Sequence, residues 1–380
     1  MARATLQTEH NATSAQLLVA LELGGTWWKI AASSHGPKVT ETRVPAGDID
    51  GLVRALTAAK VRQGLSPTVP TVTCYEAGRD GFWLHRELER RGMRNVVVDS
   101  SSIEVNRRAR RLKTDRLDAR KLLGMLYRYL HGDALVWRVV RVPTVADEDA
   151  RRPHRELARL THERTAHVTR IKALLTLHGV RRRRVGRDFL GWLAAATGVD
   201  GTAVPPHVRA ELTRQWHRYA LVVAQIRDLE AQRQQRTAAA ATPAAQQVRQ
   251  LTHLAGIGAT SAWLMVDEIF SWRQLRNRRE AGALVGLTPT PYRSDGHHHD
   301  QGISKAGNRH VRRVLVQIAW GWLRYQPHSA LTQWFHQRFA HGGGRLRRIG
   351  IVALARRLFI ALWRYVRDGV VPAGARLRTV

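Results

Sequence analysis

The chain has 380 residues, and its 62 lysines and arginines outnumber 30 aspartates and glutamates, so that its formal net charge is +32. A folded protein tolerates this self-repulsion most readily when its usual partner is a polyanion, which favours nucleic acid first and an anionic membrane surface second. A hydrophobic fraction of 44% with 12 tryptophans excludes a disordered basic tail, and the length allows two or three domains.

Three features argue against a membrane-spanning or secreted protein. No apolar run approaches the roughly 18–20 residues that a spanning helix needs. Residues 1–15, which we expect to be a flexible leader, lack the apolar core of a signal peptide. The single cysteine, Cys74, excludes an intramolecular disulfide and a cysteine-based zinc site. We therefore expect a cytoplasmic protein with no membrane partner.

The first domain is predicted to span residues 16–143 and to be of the mixed α/β class. Apolar runs bounded by turn residues predict five strands, QLLVALEL, WWKIAAS, KVTETRV, TVPTVTCYE and RNVVVDS. Helical spacing of apolar residues predicts three helices, IDGLVRALTAAKV, GFWLHRELERRG and DRLDARKLLGMLYRYL, the last with Thr114 as its N-cap. The resulting order is βββ-α-β-α-β-α.

Long, charged amphipathic helices are predicted over residues 144–247, where strand signals are absent from the sequence. They are typical of a coiled-coil arm or a solvated bundle, and some of their basic residues are expected to contact phosphates. The alanine-rich stretch 237–247 predicts a linker at the end of this region.

The remaining sequence predicts a mainly α-helical domain over residues 248–345 and an amphipathic helix over 346–380. Gly256 and Gly258 lie between two helical segments, as in a helix-hairpin-helix, whose glycines let backbone amides approach a phosphate. The Gly-, Pro-, Ser- and His-rich sequence from AGALVG to AGNRH predicts a long functional loop.

Two carboxylates, Asp115 and Asp118, lie three residues apart, and so on one face of the predicted helix, within one of the most basic stretches of the chain. They either neutralise their neighbours or hold a metal ion beside a phosphate. Glu22 and Glu76 lie at the ends of the first and fourth predicted strands. If those strands are neighbours, both ends meet the helix N-terminus, as in an RNase H-like (RuvC-like) nuclease core, and four carboxylates would bind Mg²⁺ or Mn²⁺.

Basic residues near these positions are candidate contacts for nucleic-acid phosphates. One group directly precedes the Asp pair and consists of Arg107, Arg108, Arg110, Arg111 and Lys113. Lys305 and Arg309 follow the predicted loop. Most charge runs are solvated faces, but at a net charge of +32 some of these side chains are expected to touch a polyanion.

Six segments together resemble the insertion-sequence one-ten family of DEDD transposases, which also includes the Piv-type DNA invertases. The resemblance covers about residues 16–340 and follows the order of the family. The segments are ALELGGTWWKIA, CYEAGRDGFWLHREL, VVDSSSIEVNRRARRLKTDRLDARKLL, HLAGIGATSAWLMVDEI, GLTPTPYRSDG and GISKAGNRHVRR.

The resemblance implies roles for five side chains. Glu76 matches the second acidic position of the DEDD set, Asp115 the third and Asp118 the fourth. Glu22 occupies the first position, where many members have Asp; its longer side chain keeps the charge but changes the metal geometry. Ser294 in PYRSDG matches the serine that the family is thought to use as a nucleophile on the DNA backbone.

The family resemblance also implies the partners. These are DNA, as element ends and target, and a structured bridge RNA that guides the enzyme. A homo-oligomer, dimer or tetramer, is implied, with sites shared between protomers, and the setting would be the nucleoid of a prokaryote.

Alternatives remain open at this stage. A RuvC-like endonuclease or junction resolvase would use the four carboxylates with water, and a decayed element would leave a non-catalytic nucleic-acid-binding protein. Ser294 on spacing alone is a turn or cap serine, with Ser304 as a rival nucleophile. The histidines 297–299 are either solvated or assist acid–base or metal chemistry.

Overall fold

The computed structural model describes residues 15–34, 38–103, 115–294 and 297–378 and, within these ranges, all side chains except those of 115–118 and 291–301. The first fourteen residues of the predicted leader, Thr114 and the basic group from Arg107 to Lys113 lie outside the described residues. The chain divides into two compact units, residues 1–142 and 143–380. The domain boundaries predicted above stay predictions.

The first unit is built on one five-stranded sheet in the order β3-β2-β1-β4-β5. Strand β2 runs antiparallel to both of its neighbours, whereas β4 runs parallel to β1 and β5 runs parallel to β4. The strands are β1 (Leu17–Leu23), β2 (Trp27–Ser33), β3 (Thr40–Pro45), β4 (Thr71–Glu76) and β5 (Arg94–Val98). The helices are α1 (Ile49–Arg62), α2 (Trp83–Arg90) and α3 (Asp115–Leu130). This confirms the predicted mixed α/β order βββ-α-β-α-β-α.

Alternation along the strands sends side chains to two different cores. Leu17, Val19 and Leu21 of β1 pack with Leu52 of α1 and Leu84 of α2 on one face of the sheet. Because both faces of β1 are buried, its apolar run is nearly continuous.

The opposite face of the sheet packs against α3. Leu18 and Ala20 of β1 and Cys74 of β4 share a core with Leu122 and Leu126 of that helix. The first residues of α3 therefore belong to the helix that covers this second face.

The second unit is mainly helical, as the sequence predicts. Its helices are α4 (Val145–Ala150), α5 (Arg152–Leu177), α6 (Phe189–Ala194), α7 (Pro206–Ala239), α8 (Pro243–Thr252), α9 (Ala259–Met265), α10 (Arg278–Leu284), α11 (Arg309–Tyr325), α12 (Ala330–Phe339) and α13 (Gly344–Asp368). A π-helical turn (Val266–Phe270) continues α9. Strands β6 (Pro289–Ser294) and β7 (His297–Ile303) form an antiparallel hairpin.

The two longest described helices before residue 250, α5 and α7, pack side by side in opposite directions. Leu157 of α5 shares an apolar cluster with Ile226 of α7. Farther along α5, Ile171 clusters with Leu212, which lies earlier on α7. A helical pair of this kind matches the predicted charged helices of this region.

The prediction of a linker over residues 237–247 is wrong except at residues 240–242, because the rest of this stretch is helical. Helix α7 continues to Ala239, and α8 begins at Pro243 with the Thr242 hydroxyl accepting a hydrogen bond from the Ala245 amide. Alanine and glutamine are good helix formers, and Thr-Pro is a helix-start signal, so only residues 240–242 connect the two helices.

The predicted long loop is also wrong, because most of it has regular structure. AGAL belongs to α10, and residues 289–303 form the β6–β7 hairpin apart from Asp295 and Gly296, which lie outside the described residues. β-Branched and aromatic residues are sparse here, so the sequence carried a weak strand signal.

Gly350 permits the close packing of α13 against α12, and this yields a prediction. A Cβ atom at Gly350 would lie 2.5 Å from Phe339 Cγ. We expect Gly350→Ala to destabilise the unit by about 1–3 kcal/mol, because the overpacking outweighs the helix propensity that alanine adds. Hydrogen exchange of buried α13 amides in the full chain measures the change.

Gly191 of α6 supplies the matched control, since a Cβ there would meet no atom within 4 Å. Gly191→Ala should leave stability unchanged or raise it by up to about 1 kcal/mol. Equal effects of the two substitutions would contradict the packing role of Gly350.

Candidate functional site

Glu22 and Glu76 lie side by side on neighbouring parallel strands. The register pairs Leu21 of β1 with Tyr75 of β4, so the next residues, Glu22 and Glu76, are level with each other. Hydrogen-bonded strands are about 4.8 Å apart. Leu21 and Tyr75 face the core shared with α1 and α2, and alternation therefore gives Glu22 and Glu76 the face that α3 covers. Glu22 is half-buried and Glu76 is exposed.

Helix α3 approaches that face near the same two strands. The backbone oxygen of Leu122 lies 3.9 Å from Cys74 Sγ, two residues before Glu76 on β4. Burial raises the pKa of the Cys74 thiol well above its ordinary value, which suits a core residue. Helical positions 115 and 118 share the side of α3 that carries Leu122.

The side chains of Asp115 and Asp118 lie outside the described residues, so the four-carboxylate set stays a prediction. Among the side chains that the structure describes, no group of three or more His, Cys, Asp or Glu residues is arranged to hold a metal ion. What the fold establishes is the pair formed by Glu22 and Glu76.

A guanidinium group lies at the same edge of the sheet. The turn between β1 and β2 begins at Gly24, where a Cβ would lie 2.5 Å from the Trp27 oxygen. Arg79, three residues after Glu76, packs on Gly25, with Nη2 3.1 Å from the position of a Cβ there. This cation was not among the predicted site residues, although the sequence CYEAGRD places it three residues after the carboxylate.

The second unit contains a buried carboxylate, Glu268, that accepts four hydrogen bonds. Its Oε1 accepts from His154 Nε2 at 2.7 Å and from Arg155 Nε at 2.7 Å. Its Oε2 accepts from Arg155 Nη2 at 3.0 Å and from Asn308 Nδ2 at 2.8 Å. The side chain of Glu268 is only 1% exposed. A carboxylate that leaves water so completely requires partners of this kind.

The charged groups of this cluster shift the pKa values of one another. Burial alone would raise the pKa of Glu268, but hydrogen bonds from His154 and Arg155 hold it well below its ordinary value. Burial opposes the charged form of His154, yet Asp267 and Glu268 together raise its pKa above the ordinary value. Asp267 Oδ2 lies 3.7 Å from His154 Nδ1. Both shifts favour the charged form of the pair, a Glu268 carboxylate beside a His154 imidazolium, over the neutral form.

Sequence reasoning missed this cluster. The available signal was the acidic pair Asp267 and Glu268 inside the apolar run AWLMVDEIF, since an unpaired carboxylate is expelled from a core. The partners could not be read from the sequence, because His154 lies 114 residues away and Asn308 lies 40 residues away.

The β6–β7 hairpin carries the predicted nucleophile at its far end. Ser294 is the last residue of β6 and pairs with His297 of β7. The side chains of Ser294 and of the histidines 297–299 lie outside the described residues, so their predicted roles stay predictions. The backbone places Ser294 five residues from the start of β6, about 17 Å along the strand.

The other predicted nucleic-acid contacts are at two places in this unit. Gly256 has a φ of +91° and Gly258 caps the N-terminus of α9, so a glycine turn does separate α8 from α9. Lys305 and Arg309 are exposed where the hairpin joins α11. Their contact with nucleic acid stays a prediction.

Comparison with known proteins identifies the family. A model of the transposase IS116/IS110/IS902 family matches residues 248–333. Over 376 residues the chain is 42% identical to y4rJ of Sinorhizobium fredii, which is named as a transposase, and the match covers 96% of this chain and 95% of that protein. The chain belongs to the IS116/IS110/IS902 transposase family.

More distant relatives agree with this assignment. The transposase for insertion sequence element IS1328 of Yersinia enterocolitica is 28% identical over 221 residues, covering 57% of this chain and 63% of that protein. The transposase for insertion sequence element IS1111A of Coxiella burnetii is 26% identical over 188 residues, half of each chain. This transposase is therefore an enzyme of the class that cuts and rejoins DNA, and the resemblance to this family is confirmed.

The helices of the transposase bear on the membrane prediction. In the part of the chain that the structure describes, none of them is long and apolar enough to cross a bilayer.

The Glu268 cluster of the transposase gives a prediction about stability. Glu268→Ala leaves His154 and Arg155 without their carboxylate and Asn308 without its acceptor, and we expect a loss of about 3–5 kcal/mol. Urea unfolding of the full chain, followed by tryptophan fluorescence, measures the loss.

The matched control is Glu156→Ala on the same helix as Arg155. Glu156 pairs with Arg159 at 3.7 Å on the surface, and its substitution should cost less than about 1 kcal/mol. A loss at Glu268 as small as that at Glu156 would show that the buried cluster contributes little.

Proposed function

We propose that this transposase cuts and rejoins DNA with a Mg²⁺- or Mn²⁺-dependent carboxylate centre in its first unit and with Ser294 as the nucleophile. The observation that carries the proposal is the alignment of Glu22 with Glu76 on neighbouring parallel strands. Membership of the transposase family supplies the class of reaction.

The order of the sheet supports an RNase H-like, RuvC-like core. Strands β1, β2 and β3 form an antiparallel meander, and β4 and β5 extend the sheet from β1 in parallel. In parallel α/β sheets, functional side chains gather at the carboxyl ends of the strands, which is where Glu22 and Glu76 lie.

The carboxylate pair fits a hard cation. Mg²⁺ takes oxygen ligands and retains several waters, so two neighbouring carboxylates and a phosphate oxygen are suitable donors. Asp115 and Asp118, in the first turn of α3, would complete the set in this proposal. A bound ion would supply Lewis acidity at the scissile phosphate. Arg79, at the same edge, would contact a phosphate oxygen by its fixed charge.

Ser294 would form the covalent intermediate. Its Oγ loses a proton and bonds to phosphorus, while the bond from phosphorus to the leaving sugar oxygen breaks and that oxygen takes up a proton. Attack by the hydroxyl of another strand reverses the step and releases the serine. The phosphodiester bond energy is kept in the phosphoserine, which suits rejoining better than hydrolysis would.

Nucleic acids and other copies of the chain are the proposed partners. A net charge of +32 supports tight phosphate binding, and the Gly256–Gly258 turn supports a helix-hairpin-helix contact with the DNA backbone. We include in the proposal a structured bridge RNA and a dimer or tetramer, which the family resemblance implies.

The nucleophile is tested by trapping a covalent protein–DNA adduct. The full chain is mixed with element DNA, its transcribed RNA and Mg²⁺, and adducts are counted on a denaturing gel. We expect Ser294→Ala to abolish the adduct because the attacking oxygen is gone, whereas Ser304→Ala should retain most of it. Adducts that persist in Ser294→Ala would exclude this serine, and free nicked ends without any adduct would favour an endonuclease that uses water.

The carboxylate centre is tested by separating charge from side-chain length. Glu76→Gln removes a ligand charge and should lower cleavage at least about 100-fold. Glu22→Asp keeps the charge and should retain activity within about tenfold, whereas Glu22→Gln should behave as Glu76→Gln does. Cleavage rates of element DNA at a series of Mg²⁺ concentrations measure the difference.

The control for this pair is Asp50→Asn, a carboxylate that pairs with Arg91 at 3.0 Å and belongs to α1, the helix on the opposite face of the sheet from α3. It should leave the rate unchanged. Full cleavage by both glutamine variants at all Mg²⁺ concentrations would exclude the metal centre, and the absence of cleavage by the unaltered chain would favour a non-catalytic binding protein.

A further inference from the structure

We propose that Glu268 is a positioning residue, which fixes the root of the β6–β7 hairpin to helix α5 and thereby sets the position of Ser294. The root consists of the two segments that flank the hairpin, residues 284–288 before β6 and 304–308 after β7. The proposal rests on the proposed function in one respect, the use of Ser294 as the nucleophile. The link from Glu268 to the hairpin is independent of that role.

Glu268 joins three segments that are far apart in the sequence. It belongs to the π-helical turn after α9, and its carboxylate binds His154 and Arg155 in the first turn of α5. On the other side it accepts the Asn308 amide, 2.8 Å away. One carboxylate is thus the shared acceptor for the start of α5 and for the residue that precedes α11.

The orientation of the Asn308 amide is fixed. Its Oδ1 accepts hydrogen bonds from the backbone amides of His310 at 3.0 Å and Val311 at 3.1 Å, and so caps α11. Its Nδ2 must then face Glu268. Rotating the amide by half a turn would lose the cap, which is worth about 1 kcal/mol.

Asn308 also closes the root of the hairpin through its backbone. Its amide donates to the Leu284 oxygen at 2.9 Å, which ties the residue to the end of α10. Gly307, with a φ of +109°, packs so closely on the same oxygen that a Cβ has no room. The chain that enters α11 is therefore held against α10.

Two further backbone hydrogen bonds continue this root toward the strands. The Lys305 amide donates to the Gly286 oxygen at 3.1 Å, and the Ser304 amide donates to the Thr288 oxygen at 2.9 Å. The ladder of β6 and β7 begins at the next residues. The strands that lead to Ser294 are thus connected to Asn308 by successive backbone hydrogen bonds, and the ladder itself has one register shift, between Pro289 and Pro291.

Glu268 holds the root of the hairpin with a charged group rather than with apolar packing, and the two differ in what they fix. Replacing a buried ion cluster with apolar residues is often neutral or stabilising, so stability alone does not require Glu268. Hydrogen bonds have direction, and four of them fix the distance between α5 and the root more narrowly than apolar packing would. A nucleophile that must attack in line gains from such placement.

The test exchanges the amide and the carboxylate between positions 268 and 308, first singly and then together. In Glu268→Gln the introduced amide meets the Asn308 amide and Arg155 Nη2 donor to donor, and in Asn308→Asp two carboxylates face each other. In the double variant, the introduced amide donates to one oxygen of the introduced carboxylate, while the other oxygen of that carboxylate still caps α11. We expect each single variant to slow adduct formation by about 10- to 100-fold, and the double variant to recover most of the rate.

The second readout is hydrogen exchange in the full-length protein without DNA. We expect each single variant to speed exchange in β6 and β7 by a larger factor than it speeds exchange of the buried amides near Leu358 and Leu362 of α13, and the double variant to reverse this difference. The control is Glu211→Gln, whose surface pair with Arg170 at 3.4 Å also joins α7 to α5 and should change neither readout.

Each other outcome overturns the proposal by excluding one of its steps. Exchange that speeds by the same factor in α13 as in the hairpin would make Glu268 a general stabilising residue only, and unchanged exchange in the hairpin would exclude the link. Faster exchange in the hairpin with an unchanged adduct rate would exclude positioning of the nucleophile. Failure of the proposed function is distinct, since it would appear as adducts formed by Ser294→Ala.

Discussion

Four hydrogen bonds that converge on the Glu268 carboxylate connect the first turn of α5 to the residue that caps α11. A buried carboxylate must keep its partners, because without them its burial would cost several kcal/mol. The long α5–α7 helical pair and the hairpin that carries Ser294 are both attached at this point. The helical unit can therefore hold the hairpin in one orientation although the hairpin sequence is poor in apolar residues.

The first unit follows a different constraint, the parallel pairing of β1 with β4. This register makes Glu22 and Glu76 neighbours at the carboxyl ends of their strands. Two like charges side by side repel unless a cation lies close by. Arg79 supplies a cation at this edge, and Lys29 of β2 is the cross-strand neighbour of Glu22.

The sequence predicted the first unit well because the signals there are local. Alternating and continuous apolar runs identified all five strands of its sheet, and the expected strand order made Glu22 and Glu76 neighbours. The second unit was less predictable. Its hairpin is rich in Pro, Gly and His, and its strands start from a root that Asn308 closes. The Glu268 cluster depends on partners 114 and 40 residues away, which no periodicity reports.

The chemical identity of the covalent intermediate is the central claim, and peptide mapping measures it most directly. Adduct formed on element DNA is digested with nuclease and trypsin, and the peptide that begins after Arg293 and ends at Lys305 is fragmented in a mass spectrometer. We predict a nucleotide phosphate on Ser294. A nucleotide on Ser304 or on any other residue would contradict the proposed mechanism.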